Sequence, residues 1–180
     1  METNKYELTD ETIEWKGHTL YRIKAIKTFG KFPYEVFEGN FGGYVESENN
    51  LSQKDNCWIF DDAKVYGDAQ VFDDAKVCCN ARVFDNARVK GNAQVYENAE
   101  IFDYAMLWED SQVWEKAKVY EHARVWGRAV INDNAEIFGE SIIKDDARVF
   151  DYSKVYENSK VYGTAEVRGN SLIHGDAKVG

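Results

Sequence analysis

The feature that most restricts the fold is a six-residue unit that repeats without insertion from Cys57 to Gly180. Each unit begins with a small residue, nearly always Ala or Ser, and has Ile, Val or Leu two positions later. Turn-forming pairs such as Gly67-Asp68 and Asp85-Asn86 close most units. Because a helix cannot carry two adjacent turn residues every six positions, the period predicts short strands joined by turns.

Three such strands and three turns make a closed coil of 18 residues. The small and aliphatic residues lie two apart, so both point to the same side of a strand and form the core. The 21 units of residues 57–180 therefore predict an all-β solenoid of about seven coils, roughly 30 Å tall at strand spacing.

Residues 1–56 do not follow the repeat, and we assign them to an N-terminal β-rich cap separate from the 57–180 solenoid. Alternating residues at 12–15 and 19–26, joined by Lys16-Gly17-His18, predict a hairpin. A stacked-strand solenoid has an open apolar end that needs a cover. The apolar residues expected to supply that cover are Trp15, Leu20, Tyr21, Phe29, Phe32, Tyr34 and Phe37.

Units such as Ala63-Lys64-Val65-Tyr66-Gly67-Asp68 resemble the motif of the hexapeptide-repeat family, whose fold is a left-handed parallel β-helix. With Tyr44-Val45-Glu46-Ser47, the chain also resembles uncharacterised bacterial and phage hexapeptide proteins labelled acyltransferases. The resemblance implies the left hand, and it implies an active site between subunits that uses a histidine and an acyl donor such as CoA. In that family a loop usually interrupts the coils near the histidine, whereas this repeat has no interruption.

Residues 18 apart lie above one another, so the sequence can be read as a map of three outer faces. One outward column, here called the aromatic ladder, contains only rings: Tyr66, Phe84, Phe102, Tyr120, Phe138 and Tyr156. Two interpretations remain open. In-register rings stabilise a solenoid, and an exposed apolar stripe is also typical of a contact surface for a subunit, a protein or a glycan.

A second column departs from the turn pattern on three successive coils. Tyr104, His122 and Glu140, here called the corner cluster, occupy positions where Asp or Asn is usual. These residue types suit acid–base chemistry or cation binding, so they are the catalytic candidates, and an ordinary solvated corner is the alternative.

A third group of outward residues is apolar in the middle of the solenoid. Met106, Trp108, Trp126 and Ile142, here called the mid-solenoid patch, predict side-by-side packing of subunits as a homodimer or homotrimer.

The net charge of -10 argues against direct binding of nucleic acid and favours a basic protein partner. Three cysteines do not make a disulfide framework or a recognisable metal motif, so we predict a cytoplasmic protein without a metal site. No apolar run is long enough to span a membrane.

Three functions follow. The first is a non-catalytic, acidic solenoid that binds a protein or itself through the aromatic ladder, for example a phage or mobile-element inhibitor of a basic host protein. The second is an acyltransferase, the one case that needs a cofactor, CoA. The third is a glycan-binding solenoid.

Overall fold

The computed structural model describes residues 4–180 and is a parallel β-solenoid with an antiparallel hairpin added at its N-terminal end. Within this range the only helical element is a 3-10 turn at Glu48–Asn50. The predicted coil is confirmed: each strand pairs in parallel with the strand 18 residues later, as Val83 does with Ile101.

The strands form three faces. The first face contains β1 (Tyr6–Trp15), β2 (His18–Ala25), β3 (Phe41–Val45), β5 (Lys64–Val65), β8 (Arg82–Val83), β11 (Glu100–Ile101), β14 (Lys118–Val119), β17 (Glu136–Ile137), β20 (Lys154–Val155) and β23 (Leu172–Ile173). The second face contains β4 (Trp58–Ile59), β7 (Lys76–Val77), β10 (Gln94–Val95), β13 (Gln112–Val113), β16 (Val130–Ile131), β19 (Arg148–Val149) and β22 (Glu166–Val167). The third face contains β6 (Gln70–Val71), β9 (Arg88–Val89), β12 (Met106–Leu107), β15 (Arg124–Val125), β18 (Ile142–Ile143), β21 (Lys160–Val161) and β24 (Lys178–Val179).

The solenoid has about eight turns, where the sequence predicted about seven. The additional turn precedes Cys57. Its β3 strand pairs in parallel with β5, and Leu51 forms a parallel bridge with Val71. The proposed boundary at residue 56 therefore lies within a sheet that continues on both sides of it.

The core follows the repeat. The small and aliphatic residues of the coils from Cys57 to Val161 are almost completely buried, as Ala117 and Val119 illustrate with 0% exposure. Toward the last coil the same positions become partly exposed, among them Ile173 and Val179. Replacing an inward residue with a charged one would bury an unpaired charge.

Every turn of the repeat, from Asp61 to Gly175, begins with a residue in the left-handed conformation. This position holds Asp, Glu or Gly in every coil except at Cys79. Many of these acids, here called the turn carboxylates, accept a hydrogen bond from the backbone amide 18 residues later. Glu121, for instance, accepts from the amide of Gly139 at 2.8 Å. Much of the acidic charge is therefore part of the coil-to-coil contact.

The N-terminal segment covers the first turn, and the predicted hairpin is confirmed with Lys16-Gly17 as its turn. Lys5 is 1% exposed, and its Nζ donates to the carbonyls of Lys54 and Cys57, both at 2.9 Å. The Phe29 and Trp58 rings pack edge to face beside it. A buried ammonium group thus satisfies backbone carbonyls at the end of the solenoid.

Candidate functional site

The aromatic ladder forms a continuous stack. Its neighbouring rings lie 4.8 to 5.1 Å apart between centroids, and their planes differ by only 2 to 7°. His174 continues the stack above Tyr156 at 5.3 Å. Because every internal ring has a neighbour against both faces, the ladder presents mainly ring edges to solvent.

The hairpin covers the lower end of the ladder. The Tyr66 ring is only 3% exposed, and the His18 ring packs against it with centroids 5.0 Å apart. Lys16 places its ammonium group 5.5 Å from the centroid of Phe84. The part of the ladder left half-exposed therefore begins at Phe84.

The charged residues beside the ladder pair with one another. Glu100 forms ion pairs with Arg82 and with Lys118, the second at 3.6 Å. Glu136 binds Lys154 at 3.2 Å and accepts a hydrogen bond from the Tyr120 hydroxyl at 3.2 Å. Burial and the Glu136 carboxylate raise the pKa of Tyr120 above its usual value. Three cations of the first face, Arg82, Lys118 and Lys154, are therefore paired with glutamates.

The structure brings two members of the corner cluster together. The rings of Tyr104 and His122 stack with centroids 5.0 Å apart and planes 9° from parallel, and both are exposed. They line a shallow groove with Asn86, Arg88 and Met106. Among residues 4–180, no hydrogen bond or ion pair joins Glu140 to His122. The corner cluster thus consists of the stacked rings of Tyr104 and His122, with the Glu140 carboxylate not bonded to either of them in the described structure.

The mid-solenoid patch is divided by a cation. Trp108 and Trp126 stack at 4.6 Å, with planes 12° from parallel. However, the strand register pairs Met106 with Arg124 and Arg124 with Ile142, so the guanidinium-bearing residue lies between the two aliphatic ones.

The third face is basic. Its outward strand positions, read along the stack, are Gln70, Arg88, Met106, Arg124, Ile142, Lys160 and Lys178, with no carboxylate among them. Across the described range, no ion pair engages Arg88, Arg124 or Lys160. This contrasts with the first face, where Arg82, Lys118 and Lys154 pair with glutamates. Beside the third-face strands, Lys144 pairs with Asp145 at 3.3 Å.

A further group of polar side chains lies where the second face meets the next turn. One ligand atom from each of Asp61, Cys78 and Cys79 lies within 4.8 Å of the others. The two sulfur atoms are 3.6 Å apart. Burial, together with neighbouring Cys79 and Asp61, raises the pKa of the Cys78 thiol to about 12. Sequence reasoning missed this group, although Cys79 is the one residue that breaks the Asp, Glu or Gly rule of its turn position.

The 18-residue coils, each built from three six-residue units, define a β-solenoid repeat protein. A family model described as the YdcK β-solenoid repeat matches residues 81–97, which contain one strand of each face, β8, β9 and β10, and make up almost one coil. No curated protein matches the chain. Within residues 4–180, no helix has the length and apolar character required to cross a membrane. The resemblance to hexapeptide-type β-helix proteins is thereby confirmed, whereas acyl transfer stays a prediction.

Proposed function

We propose that this protein is a non-catalytic interaction scaffold that associates with further copies of itself through its third face. The observation that carries this proposal is the unequal pairing of charge. Arg82, Lys118 and Lys154 beside the aromatic ladder have glutamate partners, whereas Arg88, Arg124 and Lys160 on the strands of the third face have no ion pair within the described structure.

The complementary surface is the corner opposite the third face. In a three-sided coil, the turn between the second and first faces lies opposite the third face. Its first positions, read along the stack, are Asp61, Cys79, Glu97, Glu115, Asp133, Asp151 and Gly169. Here a side-chain hydrogen bond with Asp133, burial and the like charge of the Asp133 carboxylate raise the pKa of Glu115. A cation supplied by a second copy would relieve that repulsion.

The partly exposed tryptophans give the same face an apolar component. Trp108 and Trp126 lie between Lys90 and Lys144 in their outward column, and apolar side chains rimmed by charge are typical of contact surfaces. If the third face of one copy docks against the opposite corner of a second copy, the contact is heterologous. Such contacts make a closed ring when the rotation between neighbouring copies divides a full turn evenly.

We assign the aromatic ladder to stability. Sugar rings and nucleic-acid bases bind aromatic residues through ring faces, and the internal ladder rings already use theirs against one another. This supports protein association over glycan binding. It also makes Phe102→Ala a useful control, because that substitution should weaken the solenoid without changing how copies associate.

The test is the solution mass of the protein and of charge-reversed variants, measured by light scattering after size exclusion. We expect the natural protein to be an oligomer that dissociates as salt is raised, because salt screens the attraction. Arg124→Glu and Glu115→Lys should each give monomers, and the double variant should recover the oligomer.

Arg148→Glu is the matched control, since Arg148 is an exposed arginine of the second face without a described ion pair. It should keep the natural mass. A monomeric natural protein at all salt concentrations would refute the proposal. So would an oligomer that survives Arg124→Glu, or one that is lost equally in Arg148→Glu.

A further inference from the structure

We propose that Asp61, Cys78 and Cys79 form a binding site for a borderline-soft divalent cation of the zinc class. The site lies at the lower end of the corner that the proposed association uses, with Cys79 two coils below Glu115. It does not depend on that association, because all three ligands come from one chain. It lies beside the lower coils, where the second face turns toward the first.

The repeat itself marks this position as unusual. The left-handed turn position is occupied by Asp, Glu or Gly in every other coil, yet Cys79 adopts it with φ of 62°. The preceding outward position of the second face holds Phe60 one coil below and Tyr96 one coil above, whereas this coil has Cys78. Two column patterns are thus broken by the same residue type, side by side, in a single coil.

The third group is held in place by the structure. The Cys79 backbone amide donates to Oδ2 of Asp61 at 3.1 Å, which is the turn-carboxylate contact seen elsewhere in the solenoid. This hydrogen bond orients the Asp61 carboxylate beside the thiol of the residue above it, and its second oxygen has no described partner. Carboxylate orientation by a hydrogen bond is what fixes ligands in metal sites.

The spacing suits one ion. Two thiolates bound to zinc at about 2.3 Å in tetrahedral geometry lie about 3.8 Å apart, and the Cys78 and Cys79 sulfur atoms are separated by 3.6 Å. Two sulfurs and one carboxylate oxygen are a ligand set for zinc-class ions rather than for magnesium or calcium. Glu97, one coil above Cys79, adds negative charge that attracts a cation.

The experiment is titration of the reduced, full-length protein with Cd²⁺, with the ultraviolet charge-transfer absorption of thiolate bound to cadmium as the readout. We expect saturation at one ion per chain. Cys78→Ser and Cys79→Ser should each abolish the absorption change. Asp61→Asn should weaken binding by more than about tenfold, since even outer-shell partners of metal ligands contribute 10–100-fold.

Two variants serve as controls. Asp73→Asn removes an equivalent turn carboxylate, which accepts from the Gly91 amide at 3.1 Å at a different corner from Cys78 and Cys79. Cys57→Ala replaces the buried third cysteine with the residue most common at its position. Both should bind Cd²⁺ like the natural protein, and circular dichroism should show that every variant is folded.

Three results would overturn the proposal. One is the absence of a saturable absorption change. A second is binding that persists in folded Cys78→Ser or Cys79→Ser protein. The third is an Asp61→Asn variant that binds Cd²⁺ as tightly as Asp73→Asn does. That result would show that the two thiols bind the ion without help from the Asp61 carboxylate.

Discussion

Asp103 offers a direct test of how the turns hold successive coils together. It lies in the left-handed region with φ of 54°, and its Oδ2 accepts a hydrogen bond from the Glu121 amide at 3.1 Å. The Asp103 side chain therefore contributes in two ways: it tolerates the left-handed backbone conformation, and it forms a hydrogen bond with the next coil. Three substitutions separate these properties.

Asp103→Ala loses both. We expect about 1 kcal/mol for the hydrogen bond at this partly exposed site and about 1 kcal/mol for placing Ala in the left-handed region, or about 2 kcal/mol together. Asp103→Gly loses only the hydrogen bond, so it should cost about 1 kcal/mol. Asp103→Asn keeps an acceptor and tolerates the conformation, so it should lie within about 0.5 kcal/mol of the natural protein.

The assay is urea unfolding followed by circular dichroism, with the free energies compared at equal slopes of the transition. The expected order of stability is the natural protein and Asp103→Asn, then Asp103→Gly, then Asp103→Ala. An Ala variant as stable as the Gly variant would show that the left-handed backbone carries no cost here. An Asn variant as unstable as Ala would refute the role assigned to the hydrogen bond.

Three further predictions concern charge and chemistry. Glu115→Gln should raise the melting temperature at neutral pH, since it removes repulsion with Asp133, and an unchanged or lower value would contradict that contact. The Gly163 amide holds the pKa of Asp145 below its usual value. The Asp145 carboxylate therefore stabilises the fold at pH values above its unfolded pKa of about 4, and this contribution is lost as the pH falls further. Asp145→Asn should accordingly show a smaller acid-induced drop in melting temperature than the natural protein. Acetyl-CoA should leave the melting temperature unchanged, whereas a rise that His122→Ala abolishes would favour an acyltransferase using the corner cluster.

The regular coils were predictable because one period fixes both their core and their surface. Once 18 residues close a coil, the position of Val119 in the core and of Phe102 in the ladder follows without further information. The division of the mid-solenoid patch by Arg124 follows from the same register. The register does not determine which flexible charged side chains form ion pairs. Those ion pairs are what distinguishes the first face from the third.

The sequence indicates the additional first turn only by two imperfect coil segments, Tyr44-Val45-Glu46-Ser47 and Leu51-Ser52, which the structure pairs with the coil above. The signal is weak because a side chain there replaces part of the backbone pattern. Asn50 donates to the carbonyls of Gly67 and Ala69, both at 2.9 Å, and accepts from the amides of Glu46 and Ser47. This amide connects the turn to the coil above without a six-residue unit. A search for the six-residue period therefore finds no regular unit in this turn.

The cap was predicted only in part for a similar reason. Outside a repeat, composition does not tell which way a side chain points. Phe29 packs against Trp58 as expected of a cover, whereas Phe32 is 91% exposed and Phe37 is 54% exposed. Lys5, which a composition argument would place in solvent, is among the most buried side chains.

The 18-residue register also governs how such a protein can change length. Duplicating or deleting 18 residues would alter the height by one strand spacing of about 4.8 Å and return every later residue to its own face. A change of six or twelve residues would preserve the core equally well but rotate all later coils by one or two faces. The ladder residues of the later coils would then lie on a different face from the ladder residues of the earlier coils. Length can therefore vary freely only in whole coils, while shorter changes redistribute surface chemistry around an unchanged interior.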